Sequence, residues 1–566
     1  MSPHRPVTSR LFLAALLAAC STEPSTPPAG PTDSAEPAGE PPTWSDDVLP
    51  VVEAHCTGCH FDGGAAPFAM QTHAQVAPLA EAALAAIDAG SMPPWMPDPD
   101  CRSFEGERLM PAGDRDLFAA WVEAGAPEGE PTGPIVLDSE VLVPDLVGQA
   151  LDPYTPDLES QGDDYQCFVL DLDFEEDVYL SGTQVIPGSP AVHHVLVYAL
   201  TGEQIEQMEA ADAADPGPGY TCFGGPLGGD GGTDGNILSS AGGFPNQIGS
   251  WVPGAVPVLF EDDQGIRIVA GSKVVMQVHY SAAGAAPSPD LTRYELALHD
   301  TPPAQLVSTR PFAVIDLDIP AGEPEVEFSR TVRNWSDQDV TLGSVTGHMH
   351  LLGKRLKVEV IRADGAEECA LELPEWDFEW QQAYQLPDDD RITLAPGDGL
   401  RLSCTYDNSA ENQPVVNGEQ QEPRDVTWGE GSLDEMCLTY LGVIEDFSPT
   451  APAPDSACPS SDGCLTDCAA DDLDCLLTCE TVESSCVACS VQAGLSCGLT
   501  SCAPSLVAIQ DCITTCLLGN VALGGSLGAC LDAECGAGVE DFAACAQPTL
   551  DSGACDAAFA DCGVAL

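Results

Sequence analysis

The sequence has 566 residues and a formal net charge of −72, from 90 acidic side chains against only 18 basic ones. A chain of this length is expected to form several domains, and so acidic a surface repels nucleic acid and anionic lipid. We interpret it as a strongly solvated surface, with a docking face for a cationic redox partner as the alternative. The 25 cysteines favour an oxidising compartment.

Residues 1–20 are predicted to be a bacterial lipoprotein signal peptide. A basic segment precedes an apolar run too short to span a bilayer. Leu17-Ala-Ala-Cys20 is typical of a lipobox, which would make Cys20 the lipidated first residue. Ser21 carries no retention charge, which favours the outer membrane, periplasm or cell surface of a Gram-negative bacterium. An ordinary secretory signal is the alternative. Residues 21–43 are predicted to be a disordered tether.

Residues 44–131 are predicted to form a small all-α domain. Cys56-Thr-Gly-Cys59-His60 is the attachment motif for c-type haem, in which two thiols bind the porphyrin and the adjacent imidazole binds the iron. The domain is therefore similar to cytochrome c. A zinc or redox CxxC site is the alternative, but the histidine that follows at once and the missing second cysteine pair disfavour it. Helices are predicted before Gly90 and from about Asp114 to Ala124.

The second axial ligand of this haem is predicted to be Met92. It lies in Ser-Met-Pro-Pro-Trp95, after the Ala-rich helix, and resembles the Met-Pro-Pro loop of small cytochromes c. Met96 is a close alternative and Met70 a less favoured one. A soft thioether paired with an imidazole raises the reduction potential of the iron.

Residues 140–446 contain short β-patterned runs with frequent Gly and Pro turns and almost no helical periodicity, which predicts antiparallel β-sandwiches. Three of the runs carry histidines. His193 and His194 are adjacent in one run, and His279 ends a second in Gln-Val-His-Tyr. His348 and His350 are two apart, so in a strand they would share one face and could hold one metal ion.

These motifs resemble, in their order, the copper type II, ascorbate-dependent monooxygenases, the family of peptidylglycine α-hydroxylating and dopamine β-monooxygenases. They are His-His, Gln-Val-His-Tyr, His-Met-His-Leu-Leu-Gly and Asp434-Glu-Met-Cys-Leu-Thr-Tyr440. The resemblance covers about residues 160–446. It implies two tandem, jelly-roll-like β-sandwiches, at 140–302 and 303–446, each with one copper ion.

The resemblance also implies the ligands and their roles. The first copper, which accepts and relays electrons, would be held by His193, His194 and His279. The second copper, where O₂ is used to hydroxylate an aliphatic C–H bond, would be held by His348, His350 and Met436. Two imidazoles with a thioether favour copper, because the soft sulfur stabilises Cu(I). Gln277 and Tyr440 match family positions near the first and second copper, respectively.

Two further positions depart from the peptide-amidating members of that family. Those members hold a substrate carboxylate with an Arg and an Asn, where this chain has Thr346 and Leu438. The predicted substrate is therefore not a peptidylglycine. The aromatic stretch 376–381 also resembles bacterial members and is interpreted as core.

The cysteines beyond the haem motif fall into two groups. The resemblance implies a disulfide between Cys404 and Cys437, and Cys167 with Cys222 is a plausible second pair, whereas Cys101 and Cys369 have no assigned partner. Residues 456–566 contain 16 cysteines and no Lys, Arg or His. Spacings such as Cys512/Cys516 place thiols on one helical face, which predicts a disulfide-stapled helical module; a metal–thiolate store is the alternative.

Together these patterns predict a lipid-anchored copper monooxygenase that carries its own c-type haem for electron delivery. Its predicted partners are O₂, a small-molecule or peptide substrate, and a reductant or redox protein, with membrane contact through the lipid anchor alone. The alternative is a non-catalytic copper- and haem-containing surface protein that only transfers electrons.

Overall fold

The structure, a computed structural model, describes residues 41–536 apart from 63–65, 67, 137–141, 159–162, 216, 223–224, 228–244, 254, 282–287, 379, 417–418, 430, 449–502 and 526. The predicted signal peptide, almost all of the tether and most of the cysteine-rich tail therefore lie outside the described residues. The described part is mainly β-sheet with few helices and several disulfides. It has no helix with the length and apolar character needed to cross a membrane.

The segment around the CxxCH motif is helical. A π-helical turn at Trp44–Val48 leads into α1, and α4 closes the segment against a core that includes Trp44, Val52, Phe118 and Trp121. The helices are α1 Leu49–His55, α2 His73–Val76, a 3-10 turn Ala77–Leu79, α3 Ala80–Asp88 and α4 Ala112–Glu123. The predicted helices are present, but α4 begins two residues before Asp114, which does not cap it.

The first β unit packs two sheets around one hydrophobic core. One sheet has the order β1-β10-β3-β8 and the other β5-β2-β9-β4-β6, and residues such as Leu180, Val195 and Val278 fill the space between them. The strands are β1 Leu146–Gln149, β2 Asp163–Val169, β3 Val178–Ile186, β4 Val192–Leu200, β5 Tyr220–Thr221, β6 Asn246–Trp251, β7 Val258–Leu259, β8 Gln264–Ile268, β9 Lys273–Ser281 and β10 Arg293–Leu298.

The second β unit repeats this architecture around a separate core. The order β11-β23-β14-β17 faces the order β13-β19-β15-β16, with Leu342, Val358 and Leu402 between them. The strands are β11 Gln305–Ala313, β12 Asp318–Ile319, β13 Val326–Arg333, β14 Val340–His348, β15 Gly353–Ile361, β16 Glu367–Leu373, β17 Ala383–Gln385, β18 Ile392–Leu394, β19 Gly399–Tyr406, β20 Val415–Val416, β21 Glu419–Gln420, β22 Val426–Thr427 and β23 Leu438–Asp446. Short 3-10 turns lie at Asp388–Asp390 and Ala410–Asn412.

A parallel pairing joins the two units. β11 lies between β23 of the second unit and β8 of the first, so one sheet continues through both. The β8 contact is short and comprises the pairs Gln305↔Gln264 and Leu306↔Gly265. The units are thus two packed sandwiches with a narrow connection at the sheet.

One helix interrupts the region in which only strands were expected. Residues Glu203–Ala214 form α5, and its Met208 is buried beside Leu200 and the Cys167–Cys222 disulfide. The sequence of α5 is rich in Ala, Glu and Gln, which are strong helix formers. The sequence does not predict this helix, because its polar composition shows no clear apolar stripe.

A segment of the CxxCH module, residues 95–105, lies on the second sandwich; we call it the strap. Cys101 forms a disulfide with Cys369 on β16, so the two unassigned thiols are partners. Asp98 N donates to Glu372 O at 2.8 Å, and the Trp95 ring stands edge-on to that of Tyr384 at 5.4 Å. The strap therefore fixes the helical module to this sandwich by covalent, polar and aromatic contacts.

A C-terminal helix also packs on the second sandwich. This helix, α6, spans Ala503–Leu523, is followed by α7 Leu527–Cys530 and a π-helical turn Leu531–Cys535, and is crosslinked by Cys512–Cys535 and Cys516–Cys530. Leu518 enters the core of the sandwich, and Gly519 allows close approach because a Cβ there would lie 3.3 Å from Val332. This part of the cysteine-rich region is therefore a disulfide-linked helical element, as predicted.

Candidate metal centres

The first histidine centre is built on the paired strands β4 and β9. His194 lies directly opposite His279, and the register shifts between Val192 and His194. Adjacent residues of a regular strand point to opposite faces, whereas a bulge re-aims a side chain. This irregularity brings His193 to the same side as His194, so three imidazoles meet at one point of the sheet.

The three imidazoles converge through the same ring atom. The Nδ1 atoms of His193, His194 and His279 are 3.2–3.3 Å apart in every pair. Three ring nitrogens cannot all donate to one another, so hydrogen bonding does not explain this triangle. The centre of a triangle with these sides lies about 1.9 Å from each corner, close to the ~2.0 Å of a metal–imidazole bond. The donor set therefore fits one bound metal ion, in agreement with the cluster of potential ligands that these residues form.

In the first centre, His194 favours the neutral form. Burial holds the pKa of His194 well below its ordinary value, and the imidazoles of His279, His193, His348 and His350 lower it further. The His279 ring also stacks on Tyr165, with centroids 4.2 Å apart and planes 6° apart. A neutral, sterically fixed imidazole keeps the lone pair that a metal requires.

The second centre lies where the chain crosses from one sheet to the other. His348 is the last residue of β14. His350 is predicted to lie in the same strand, but in the structure it lies in the connection from β14 to β15. The two rings nevertheless converge, with centroids 5.2 Å apart. A hairpin turn joins β15 to β16, and Gly365 in it has a φ of 88°.

Hydrogen bonds fix the tautomer of both histidines. His348 Nδ1 donates to Gln381 Oε1 at 2.6 Å, and His350 Nδ1 donates to the carbonyl of Asp434 at 3.1 Å. Because both partners only accept, each Nε2 keeps its lone pair for a metal. Burial lowers the pKa of His348 and lowers that of His350 to about 3, so both rings are neutral.

A buried carboxyl group ties the chain near His350 to Met436. Glu435 accepts from the backbone N–H groups of His350 at 2.9 Å, Leu352 at 2.6 Å and Met436 at 3.3 Å. Burial raises the pKa of Glu435 to about 8, although these three N–H donors oppose the rise. Glu435 has no role in the sequence-based prediction, whereas in the structure its carboxyl group links the backbone of two predicted ligands, His350 and Met436.

The remaining predicted residues of the second centre lie on and beside β23. Met436 is 5% exposed and packs with Leu438. Tyr440 is partly buried and packs against this pair. Leu438 lies opposite His348, and Tyr440 opposite Thr346, so both substituted positions border this centre. Both predicted disulfides are present: Cys404–Cys437 follows Met436 directly, and Cys167–Cys222 lies in the first sandwich.

Gln277 makes a hydrogen bond outside the group of imidazoles. It is buried on β9, and its Nε2 donates to Cys222 O at 2.9 Å. The structure thus gives this side chain a supporting contact next to the Cys167–Cys222 disulfide. A role for it in the reaction stays a prediction.

The segment 376–381, interpreted as core, instead lies between the two centres. The Phe378 ring stacks on His193 with centroids 5.6 Å apart and meets His350 at 6.1 Å. Trp376 Nε1 donates to His350 O at 3.1 Å, and Gln381 binds His348. Its aromatic composition alone suggested burial, and no local pattern pointed to histidine neighbours far away in sequence.

The haem motif has free groups of the expected kind. Cys56 and Cys59 form no disulfide, and His60 Nδ1 donates to Phe68 O at 3.1 Å, which leaves Nε2 available. Burial, and then the neighbouring Cys59, raise the pKa of the Cys56 thiol to about 12. The donor set fits a covalently attached haem with one imidazole ligand.

The three candidate methionine ligands lie in different environments. Met92 is 42% exposed in the loop after α3, whereas Met70 is buried in the core of the module. Met96 belongs to the strap, where its Sδ accepts from Asp377 N at 3.2 Å and the side chain packs on the second sandwich. Met96 is thus engaged with Asp377, and Met92 remains the predicted haem ligand.

Comparison with known proteins finds a match over most of the second sandwich. Residues 328–458 match the model of the copper type II ascorbate-dependent monooxygenase, C-terminal domain, and this stretch contains His348, His350 and Met436. The second sandwich is therefore similar to a domain of copper-dependent oxidoreductases. No curated protein matches the chain.

Solved structures give no support for a common fold. The infectious bursal disease virus VP2 subviral particle covers 55% of this chain and 81% of its own, at 11% identity and a TM-score of 0.13. The structure of the infectious bursal disease virus Gt strain covers 56% and 74%, at 12% identity and the same TM-score. Scores this low carry no argument about this chain.

Proposed function

We propose that this protein is a copper-dependent monooxygenase that uses O₂ to hydroxylate an aliphatic C–H bond, with electrons supplied through a fused c-type haem. The observation that carries the proposal is the pair of histidine centres on either side of Phe378. One presents three converging Nδ1 atoms. The other presents two imidazoles whose Nδ1 atoms donate to protein acceptors, within the stretch that matches a copper monooxygenase domain.

The two centres differ in the chemistry that their ligands favour. His193, His194 and His279 would hold an ion that exchanges electrons, in a rigid sheet that limits rearrangement on a change of charge. His348 and His350, with Met436 as a soft third ligand, would hold the ion at which O₂ reacts. Copper supplies one-electron transfer and O₂ activation when it is bound at such sites. Glu435, Gln381 and the carbonyl of Asp434 hold these ligands in place.

The surroundings of the second centre favour an uncharged reacting group. Thr346 and Leu438 replace the cation and amide with which amidating relatives hold a carboxylate, and both border the centre. Met436, Leu438 and Tyr440 form an apolar cluster there. The proposed substrate is a small molecule or peptide that presents an aliphatic C–H bond without an adjacent carboxylate.

Electrons would enter through the CxxCH module. Cys56, Cys59, His60 and Met92 would hold the haem, and the strap attaches the module to the sandwich with the second centre. We further propose that Cys20 is lipidated and anchors the exported protein to the outer membrane or cell surface.

The test is to measure O₂ consumption with a reductant and to identify a hydroxylated product. Because the substrate is unknown, untargeted product analysis should compare intact cells that carry the parent protein with cells that carry His348→Ala. A product that depends on His348 supports the enzyme. Electron transfer without any hydroxylated product would favour the alternative, a copper- and haem-containing protein that only transfers electrons.

A further inference from the structure

Phe378 contacts one imidazole of each centre. Its ring lies nearly parallel to that of His193, with 23° between planes and 5.6 Å between centroids. It meets His350 edge to face, with 88° between planes and 6.1 Å between centroids. Both arrangements lie in the range of favourable aromatic contacts. One ring of the second sandwich therefore touches both centres.

The segment that carries this ring is fixed on both sides. Trp376 Nε1 donates to His350 O at 3.1 Å, and His348 Nδ1 donates to Gln381 Oε1 at 2.6 Å. Gln381 Nε2 in turn donates to Phe378 O at 2.9 Å. Phe378 is therefore attached to the second centre on each flank, and its stack on His193 is a contact between that centre and the first.

The helical module supplies one more anchor. Asp377 N donates to Met96 Sδ of the strap at 3.2 Å, and the strap is held to β16 by the Cys101–Cys369 disulfide. The segment is thus also supported by the strap. Such support limits retreat of the Phe378 ring from His193.

The sheet alone constrains the gap between the centres weakly. β8 and β11 share the pairs Gln305↔Gln264 and Leu306↔Gly265, which is a short connection between the two sandwiches. A contact near the centres has more influence on their spacing than a contact far from them. The Phe378 ring makes such a contact.

We propose that Phe378 is a positioning residue that sets the spacing of the two histidine centres. The inference rests on the proposed function, because it takes both centres to hold copper. Loss of the aromatic ring should let the first centre move away from the second, while the ligands of both centres remain unchanged.

The test uses the full chain loaded with two Cu(II) ions, with copper content determined first. Two Cu(II) ions at closely spaced centres broaden each other's EPR spectrum by dipolar coupling. Phe378→Leu keeps an apolar side chain but removes the ring, and it should lose much of this broadening. Phe378→Tyr keeps the ring and should retain it. An unchanged spectrum in Phe378→Leu, or an unbroadened spectrum in the parent with two coppers bound, would overturn the inference.

Phe447→Leu is the matched control. Phe447 lies in the chain after β23, and its ring packs on Tyr179 of the first sandwich with centroids 5.6 Å apart. It is thus also a phenylalanine between the sandwiches, but within the described part of the chain its ring meets Tyr179 and Arg267, which belong to neither centre. The dipolar broadening of the EPR spectrum should be retained in Phe447→Leu. Equal loss in both variants would show that any weakened interface moves the centres, and would overturn the specific role of Phe378.

A metal-free measurement separates this inference from the proposed function. In protein with labelled histidines, Phe378→Leu should shift the ring resonances of His193 and His350 and leave those of His73, which lies in the helical module, in place. If the ring resonances of His193 and His350 did not move, the contact of Phe378 with these two imidazoles would be contradicted. If the parent chain fails to bind two coppers while these shifts occur, the proposed function fails and the positioning contact stands.

Discussion

Cys101 and Cys369 form a disulfide that joins the helical module to β16 across 268 residues of sequence. Around it, Arg102 Nε donates to Cys369 O at 3.3 Å, and Phe104 packs against Tyr384 with ring centroids 5.4 Å apart. The CxxCH module is thus not joined to the sandwiches by its linker alone. It is attached at a second point, close to the segment that carries Phe378.

The first prediction follows from this attachment. The double variant Cys101→Ser, Cys369→Ser should lower the free energy of unfolding by about 2–5 kcal/mol, because the unfolded chain regains the freedom of a long loop. Thermal unfolding measures the loss, and limited proteolysis should show faster cleavage in the strap. Cys167→Ser, Cys222→Ser is the control: it should destabilise the first sandwich and leave strap cleavage unchanged. Equal strap cleavage in all three proteins would contradict a role for the disulfide in docking.

The second prediction concerns metal content. The parent protein should contain two coppers and one covalent haem per chain, measured by elemental analysis and by a haem stain after denaturing electrophoresis. His194→Ala should remove one copper, because it breaks the triangle of Nδ1 atoms and leaves the second centre complete. His299→Ala is the control, since that ring binds the carbonyl of Gln264 at 2.7 Å in the first sandwich. Stoichiometric zinc without copper would refute the enzyme proposal.

The third prediction separates the two ligand sets. Met436→Ala should impair O₂-dependent product formation more than reduction of the protein, because the soft ligand is lost only at the second centre. His279→Ala should instead slow reduction and relay. Stopped-flow reduction and product formation measure the two effects. Full product formation in Met436→Ala would show that Met436 is not a ligand.

The fourth prediction is that the haem delivers electrons within one molecule. The linker to the first sandwich and the strap keep the module at an effective concentration of roughly millimolar, so transfer from reduced haem to oxidised copper should not depend on protein concentration. Anaerobic stopped-flow mixing should show this, and the phase should vanish in His193→Ala, His194→Ala. A haem that stays reduced beside intact Cu(II) would refute the coupling.

The fifth prediction concerns Glu435. Glu435→Gln offers one acceptor oxygen where the carboxyl has two, so at least one of the backbone N–H groups of His350, Leu352 and Met436 loses its partner. An unpaired buried donor costs about 1–3 kcal/mol, and binding of copper at the second centre should weaken. Unfolding and chelator competition measure both effects. Glu445→Gln, at an exposed ion pair with Arg310, should change stability by less than about 1 kcal/mol.

The sequence determined which residues have the chemistry for metal binding and where the strands and helices lie near them. Imidazoles, a thioether and the CxxCH motif are visible without a fold, because ligand chemistry resides in the side chain itself. Alternation over β15, the turn at Gly365 and the helices around the CxxCH motif also follow from local patterns, and the structure has them. The resemblance in motif order supplied the Cys404–Cys437 pair.

Tertiary structure decided how these residues meet. His193 and His194 share a site only because the register shifts in β4, and His350 reaches His348 from outside the strand. Phe378 and the Cys101–Cys369 pair acquired their places from contacts between distant parts of the chain. Local periodicity fixes the face on which a side chain lies, whereas the packing of whole sheets fixes which faces approach each other, and no short stretch of sequence contains that information.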